Sequence, residues 1–310
     1  MKKFFAGVVY CILYVMGLLP LRVHYFFSSV FAFILRRIVR YRYSVIVANI
    51  ARSFPEMKYG EIKSLTAKYY SHMCDIFAEN IWNLAHSASA LRKHISVSGT
   101  EVVDELQKKY NNVLLVMGHC GNWELVSAAI LPSEKRTEDS FSSHPVYMVY
   151  KAARNKFSDL IFKKLRMREY KKFQFPGEVL ESKQVLRHAL KNKDGKAIYV
   201  LISDQNSIGD HDPVVDFLGQ KTYMLPGPEF LASKLKMPVA YLRMNLLSRG
   251  KYHIEFEKIT EEAHNMEDYF VTKEFARLLE QDIRNNKVNW LWSHRRWKRN
   301  ISLSNSNIDK

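Results

Sequence analysis

The alternation of apolar and polar positions divides the chain into four stretches. Phe4 to Leu21 is an uncharged apolar run, FFAGVVYCILYVMGLLPL, with Lys2 and Lys3 ahead of it and Arg22 behind. As a single helix it extends roughly 27 Å, close to the thickness of a bilayer's hydrocarbon core. The next apolar stretch, Val23 to Leu35, is too short to cross alone and ends in Arg36, Arg37, Arg40 and Arg42, so it reads as interfacial or re-entrant. From Tyr59 to Ala90, Ile62, Leu65, Tyr69, Met73, Ile76, Phe77 and Ile81 recur at three- and four-residue spacing, which predicts a helical layer. Beyond it, short runs rich in β-branched residues alternate with helical patterns. Val113 to Met117, Val146 to Tyr150, Ala197 to Ile202, Pro238 to Arg243 and Tyr252 to Phe256 are predicted strands. Glu124 to Ile130, Glu178 to Lys191, Pro228 to Leu235 and Met266 to Asn286 are predicted helices. That order predicts an α/β domain, a mainly parallel sheet covered by helices, over residues 53–310, behind a membrane anchor and basic interfacial segment over residues 1–52.

Composition narrows the class. A chain of 310 residues, 47% hydrophobic and 13% aromatic, fills a substantial core, and 12 glycines and 9 prolines are too few for a fibrous or low-complexity protein. Cys11, Cys74 and Cys120 are odd in number and far apart, giving neither a disulfide framework nor a paired metal-ligand spacing. The net charge of +16 calls for an anionic partner: nucleic acid, lipid or an acidic protein. Position decides for lipid, because residues 1–52 hold eight basic residues, no acidic one, and very apolar sequence between them. With basic residues clustered after the apolar run and no small-x-small cleavage site, the segment reads as a retained anchor with the globular part on the cytoplasmic face. Trp290, Trp292 and Trp297, set among basic residues, suit a membrane interface, and would also serve to stack nucleic-acid bases.

Candidate chemistry lies where a predicted strand runs into Gly118-His119-Cys120-Gly121-Asn122-Trp123-Glu124. Gly118 and Gly121 permit a sharp strand-to-helix turn, Asn122 is a candidate N-cap, and Cys120 is a small turn-filling residue. On a continuous helix, residues five apart are rotated by about 140° and do not meet. A turn can fold His119 back onto Glu124, whose carboxylate then accepts one imidazole N–H and leaves the other nitrogen to take a proton from a substrate hydroxyl. The competing reading makes His119 a packed core histidine and Glu124 a surface residue; spacing alone does not choose between them. A zinc site lacks the required spacing, so no metal is expected.

At this point the chain resembles the late acyltransferases of lipid A biosynthesis, the lauroyl and myristoyl transferases, within the lysophospholipid acyltransferase superfamily. The resemblance rests on Arg42-x-x-Val45-x-x-x-Asn49, Phe54-Pro55, the Gly118 to Glu124 motif, Tyr150-Lys151-x-x-Arg154-Asn155, Asp204-Gln205, Phe217-Leu218-Gly219 and Trp292-Ser293-His294-Arg295-Arg296-Trp297. It implies acyl transfer from acyl carrier protein to the hydroxyl of a 3-hydroxyacyl chain on a lipid A precursor, at the bacterial inner membrane and without a cofactor. His119 is then the general base and Glu124 its orienting partner, with Asn122, Arg154, Asp204 and Gln205 around the substrate. Arg154 meets phosphate or the developing oxyanion, and Asp204 with Gln205 shapes the floor. Glycerolipid members carry His-x4-Asp and Phe-Pro-Glu-Gly; here Glu124 replaces the aspartate and Phe175-Pro176-Gly177-Glu178 is out of order, which disfavours a glycerol-phosphate acceptor. Lys163, Lys164, Arg166, Arg168, Lys171 and Lys172 form the basic cluster assigned to carrier docking. Two alternatives stay open: the same chemistry on an amino-acid lipid, lysophospholipid or glycolipid, and a membrane-associated binding protein with no catalysis.

Overall fold

The computed structural model describes residues 2–126, 144–152, 155, 159, 163, 166, 167, 177–207, 209 and 212–298. Its centre is a seven-stranded sheet in the order β1-β9-β8-β2-β5-β3-β4. The strands are β1 (Ile95–Ser98), β2 (Asn112–Met117), β3 (Val146–Tyr150), β4 (Gly177–Glu181), β5 (Ala197–Ile202), β8 (Val239–Ser248) and β9 (Lys251–Thr260). All neighbours pair in parallel except β8 and β9, which form an antiparallel hairpin. β6 (Val214–Phe217) and β7 (Gln220–Tyr223) make a separate two-stranded hairpin. β2 is buried at every position, as its unbroken apolar sequence requires of a central parallel strand covered on both faces.

Helices α1 (Lys2–Gly17), α2 (Leu21–Arg37), α3 (Tyr43–Ser53) and α4 (Tyr59–Asn83) form the helical layer. α4 opens where Glu61 accepts a hydrogen bond from the Lys58 N–H at 2.7 Å. On α2, His24, Ser28 and Ala32 are buried at four-residue intervals, while Phe26, Phe27, Val30, Phe31 and Phe33 are exposed. The remaining helices are α5 (Ala88–Arg92), α6 (Thr100–Lys109), α7 (Val185–Lys191), α8 (Gly227–Leu235) and α9 (Phe270–Asn285).

Three expectations change. The run from Phe4 to Leu21 is not one helix: α1 ends at Gly17 and Pro20 starts α2, with a bend of 112° between them. Among the described residues no single helix is long and apolar enough to cross a membrane; the bent pair together meets that length and composition. The helix expected over Glu178 to Lys191 is a strand followed by a helix, β4 then α7. Gly177 takes a φ of +127° directly against the Val146 carbonyl, and this glycine lets β4 pair with β3 with Val179 and Leu180 facing the core. Finally, Trp290 and Trp292 are not at an interface with lipid. Both are buried, against each other at 4.8 Å between ring centroids.

Candidate active site

The sheet register builds the site. β2 and β5 are parallel neighbours with Met117 opposite Ile202, and the Ser203 N–H donates to the Met117 carbonyl at 3.0 Å. Two residues further along each chain, at the carboxyl ends of the strands, stand His119 and Asp204. The His119 backbone N–H donates to Asp204 Oδ2 at 2.8 Å, and its Nδ1 lies 2.5 Å from Asp204 Oδ1. Trp290 Nε1 donates to the same Oδ2 at 2.7 Å. A carboxylate filled on one oxygen by two N–H donors and facing Nδ1 with the other fixes the tautomer: the proton sits on Nδ1, and Nε2 presents its lone pair.

Asp204 is 3% exposed. Burial pushes its carboxyl up, but the adjacent His119 charge and the hydrogen bonds from His119 and Trp290 outweigh it, holding the group at about 2. The side chain of His119 is 13% exposed, with Trp123 edge-on at 5.0 Å and the Gln205 amide nitrogen 3.4 Å from Nε2. The imidazole is therefore walled in, with Asp204 at Nδ1 and Gln205 near Nε2.

Glu124 is elsewhere engaged. It lies in a 3₁₀ turn, Trp123–Leu125, and Arg166 grips both its oxygens, Nε to Oε2 at 2.9 Å and Nη2 to Oε1 at 2.6 Å. Such a two-point pairing is the geometry that guanidinium and carboxylate favour. The Arg166 guanidinium also stands 5.8 Å from the Tyr150 ring centroid. The carboxylate at His119 Nδ1 is thus Asp204, where the sequence reading put Glu124. The physical reason is register: strand pairing brings residue 204 beside residue 119, whereas the turn carries residue 124 to the rim. Arg166, expected on a carrier-docking surface, is in the site. Of that basic cluster Lys163 and Arg166 are among the described residues; the others lie outside them, as does Arg154. The helix expected over Glu124 to Ile130 is described only to residue 126.

Asn122 stands at the expected N-cap position of this turn, but its side chain is used differently. It makes no side-chain cap and is fully buried, its Nδ2 donating to Glu79 Oε2 of α4 at 2.9 Å. Gly121 adopts a φ of +57° and its N–H donates to the Asn289 carbonyl, so this glycine does serve the turn. Cys120 is buried, and burial raises its thiol well above the ordinary value, consistent with a filler rather than a nucleophile.

Sequence blocks that lie far apart are drawn together behind the site. Asn49 donates to the carbonyls of Trp292 and His294 at 2.9 and 2.8 Å, Arg42 donates to that of Ser293 at 2.9 Å, and Phe54 packs edge-on against Trp292. These contacts fix the segment that delivers Trp290 to Asp204. Sequence reasoning gave Trp290, Asn289, Glu79 and Arg166 no place at the site. Only Trp290 carried a signal, an indole beside a conspicuous aromatic block. Among the described residues no group of three or more His, Cys, Asp or Glu is arranged to hold a metal ion.

An α/β sheet with a carboxylate-held histidine at the carboxyl ends of its central strands sets a proton-accepting nitrogen where such sheets bind ligands. The chain matches the family described as bacterial lipid A biosynthesis acyltransferase over residues 2–299, and it belongs to that family. It is by membership an acyltransferase of lipid A biosynthesis. Comparison with curated proteins gave no match.

Proposed function

We propose that the protein transfers an acyl chain from the thioester of acyl carrier protein to a hydroxyl on a 3-hydroxyacyl chain of a lipid A precursor, with His119 as general base. The observation that carries this reading is the His119–Asp204 pair, which leaves Nε2 as the one imidazole nitrogen able to accept a proton. Nε2 takes the proton from the acceptor hydroxyl as its oxygen attacks the thioester carbonyl. The oxyanion intermediate then collapses, the C–S bond breaks, and the departing carrier sulfur receives the proton from Nε2. Asp204 stabilises the imidazolium formed between the two steps without itself taking the proton. Arg166, locked in place by Glu124, supplies a fixed cation for the developing oxyanion or an acceptor phosphate. Glu124 acts through Arg166 in this scheme, not through His119.

Attachment to the cytoplasmic face of the bacterial inner membrane fits α1 and α2. Phe5, Ile12, Val15, Phe26, Phe27 and Phe31 are all more than half exposed, and Arg36, Arg37 and Arg40 follow within a few residues. A bent amphipathic pair lying in the interface accounts for this apolar face better than a straight span. The test is mass spectrometry of total lipids with and without the gene, coupled to transfer from acyl carrier protein by purified protein. Loss of one acyl chain from a lipid A species, and turnover that falls as salt is added, are expected. An unchanged lipid A profile, or loss confined to another lipid class, overturns the acceptor; indifference to salt overturns carrier steering.

A further inference from the structure

α4 carries two buried acidic residues one turn apart that the reaction does not use. Asp75 accepts from Ser28 of α2 and from Arg249 through two guanidinium nitrogens at 2.8 and 2.6 Å. Glu79, 4% exposed, accepts from three donors on three different elements: Tyr25 of α2 at 3.0 Å, Tyr252 of β9 at 2.7 Å and Asn122 at 2.9 Å. The third of these lies inside the turn that joins His119 to Glu124. Asn122 is fully buried and, among the described residues, its Oδ1 has no hydrogen-bond partner, so the orientation of its amide rests on the bond to Glu79. Its carbonyl accepts the first hydrogen bond of the 3₁₀ turn, from the Leu125 N–H at 2.9 Å. The same turn holds Trp123 against the His119 ring and Glu124 against Arg166.

The geometry points to Glu79 as a positioning residue for the catalytic turn: through Asn122 it sets where Trp123 and Glu124 stand relative to His119. It touches no substrate. A carboxylate is suited to this because it accepts in several directions at once, whereas every partner here is a donor. Removing it leaves the buried donors of Asn122 and Tyr252 and the partly buried Tyr25 hydroxyl without this acceptor. A shift of about 1 Å at a positioning contact is enough to cost on the order of 10²-fold in rate.

Glu79→Gln keeps the shape and most of the bonding. The amide oxygen can accept from Asn122 and Tyr252 while the amide nitrogen donates to the Tyr25 hydroxyl oxygen. Glu79→Ala removes all three acceptors. We expect E79A to lower kcat about 10- to 100-fold, with KM for the acyl carrier thioester within about threefold. E79Q should restore kcat to within about threefold of the native protein. Hydrogen exchange of residues 118–126 should quicken at least about tenfold in E79A, with α9 unchanged. If E79A does not fold, Asn122→Ala is expected to reproduce both the kinetic loss and the faster exchange. The kinetic arm rests on the acyl-transfer reading and the exchange arm does not. A native protein without turnover overturns that reading and leaves exchange to decide this one. Native exchange in a folded E79A or N122A, or an E79Q as impaired as E79A, overturns the role of Glu79.

Discussion

Asp204 and Glu124 are both carboxylates of the site, and they differ in almost every physical respect. Asp204 is sealed in the core, takes hydrogen bonds from His119 and Trp290, and stands at a position dictated by strand register. Glu124 sits on a 3₁₀ turn with about a quarter of its side chain exposed, and Arg166, of similar exposure, holds both its oxygens. One carboxylate belongs to a rigid floor and the other to a rim. In the proposed scheme the difference becomes a division of labour: proton handling falls to buried groups, and charge compensation to a pair that solvent still reaches. Low-dielectric surroundings make the first interaction strong, and partial exposure keeps the second weak in stability while leaving it available to substrate.

The hardest blow to that division is His119→Ala. It is expected to lower transfer by about 10²- to 10⁴-fold while the protein stays folded, because general-base catalysis supplies a factor of that size. Steady-state kinetics with circular dichroism checks it, and full activity in the folded variant removes the base. Asp204→Asn comes next. An asparagine whose amide nitrogen faces Nδ1 favours the wrong tautomer, and transfer is expected to fall roughly 10²- to 10³-fold with KM little changed. If D204N is harmless and E124Q is not, floor and rim have been assigned the wrong way round.

Asp204 also sharpens the comparison through pH. Its folded-state value of about 2 lies below the unfolded reference of 3.8. A depressed carboxyl contributes stability that is fully present above the unfolded value and is lost as pH falls through the folded one. The gap corresponds to about 2 kcal/mol, present above roughly pH 4 and gone below roughly pH 2. Urea unfolding of native protein and D204N should therefore diverge at neutral pH and converge near pH 2. A gap between them that does not shrink as pH falls shows that the aspartate contributes something other than its charge.

How much of this was legible in the sequence follows the same physics. β3 and β5 were read to the residue, and β2 to within one, because each carries an unbroken run of aliphatic and aromatic residues. His119 was legible because glycines bracket it at a strand end. Asp204 was visible as a polar residue following a strand, but its role was not, since periodicity gives no strand order. Only once β2 and β5 are known to be neighbours does register set residues 119 and 204 side by side. Trp290 was misplaced at the membrane for a related reason: an amphipathic indole fits a lipid interface and a buried carboxylate equally well, and its partner lies 86 positions away. The helix expected over Glu178 to Lys191 failed because Glu178-Val179-Leu180-Glu181 carries no helical period of its own and Gly177 opens a strand there.

The smallest expected effect is the stability change at the rim, and it is the most discriminating. Glu124→Gln and Arg166→Gln each break a two-point ion pair whose members are roughly a quarter to a third exposed. Because water can solvate whichever partner remains, each is expected to cost no more than about 1 kcal/mol in urea unfolding. Their effect on transfer should be larger, about 10- to 100-fold, since a cation aimed at developing charge acts in the transition state more than in the ground state. R166K tests the shape of the cation separately from its charge: an ammonium cannot hold both Glu124 oxygens in the planar fork, so it should recover little of the rate. A rim variant that unfolds the protein as severely as D204N would erase the distinction between floor and rim. One that is fully active would restrict the chemistry to His119 and Asp204.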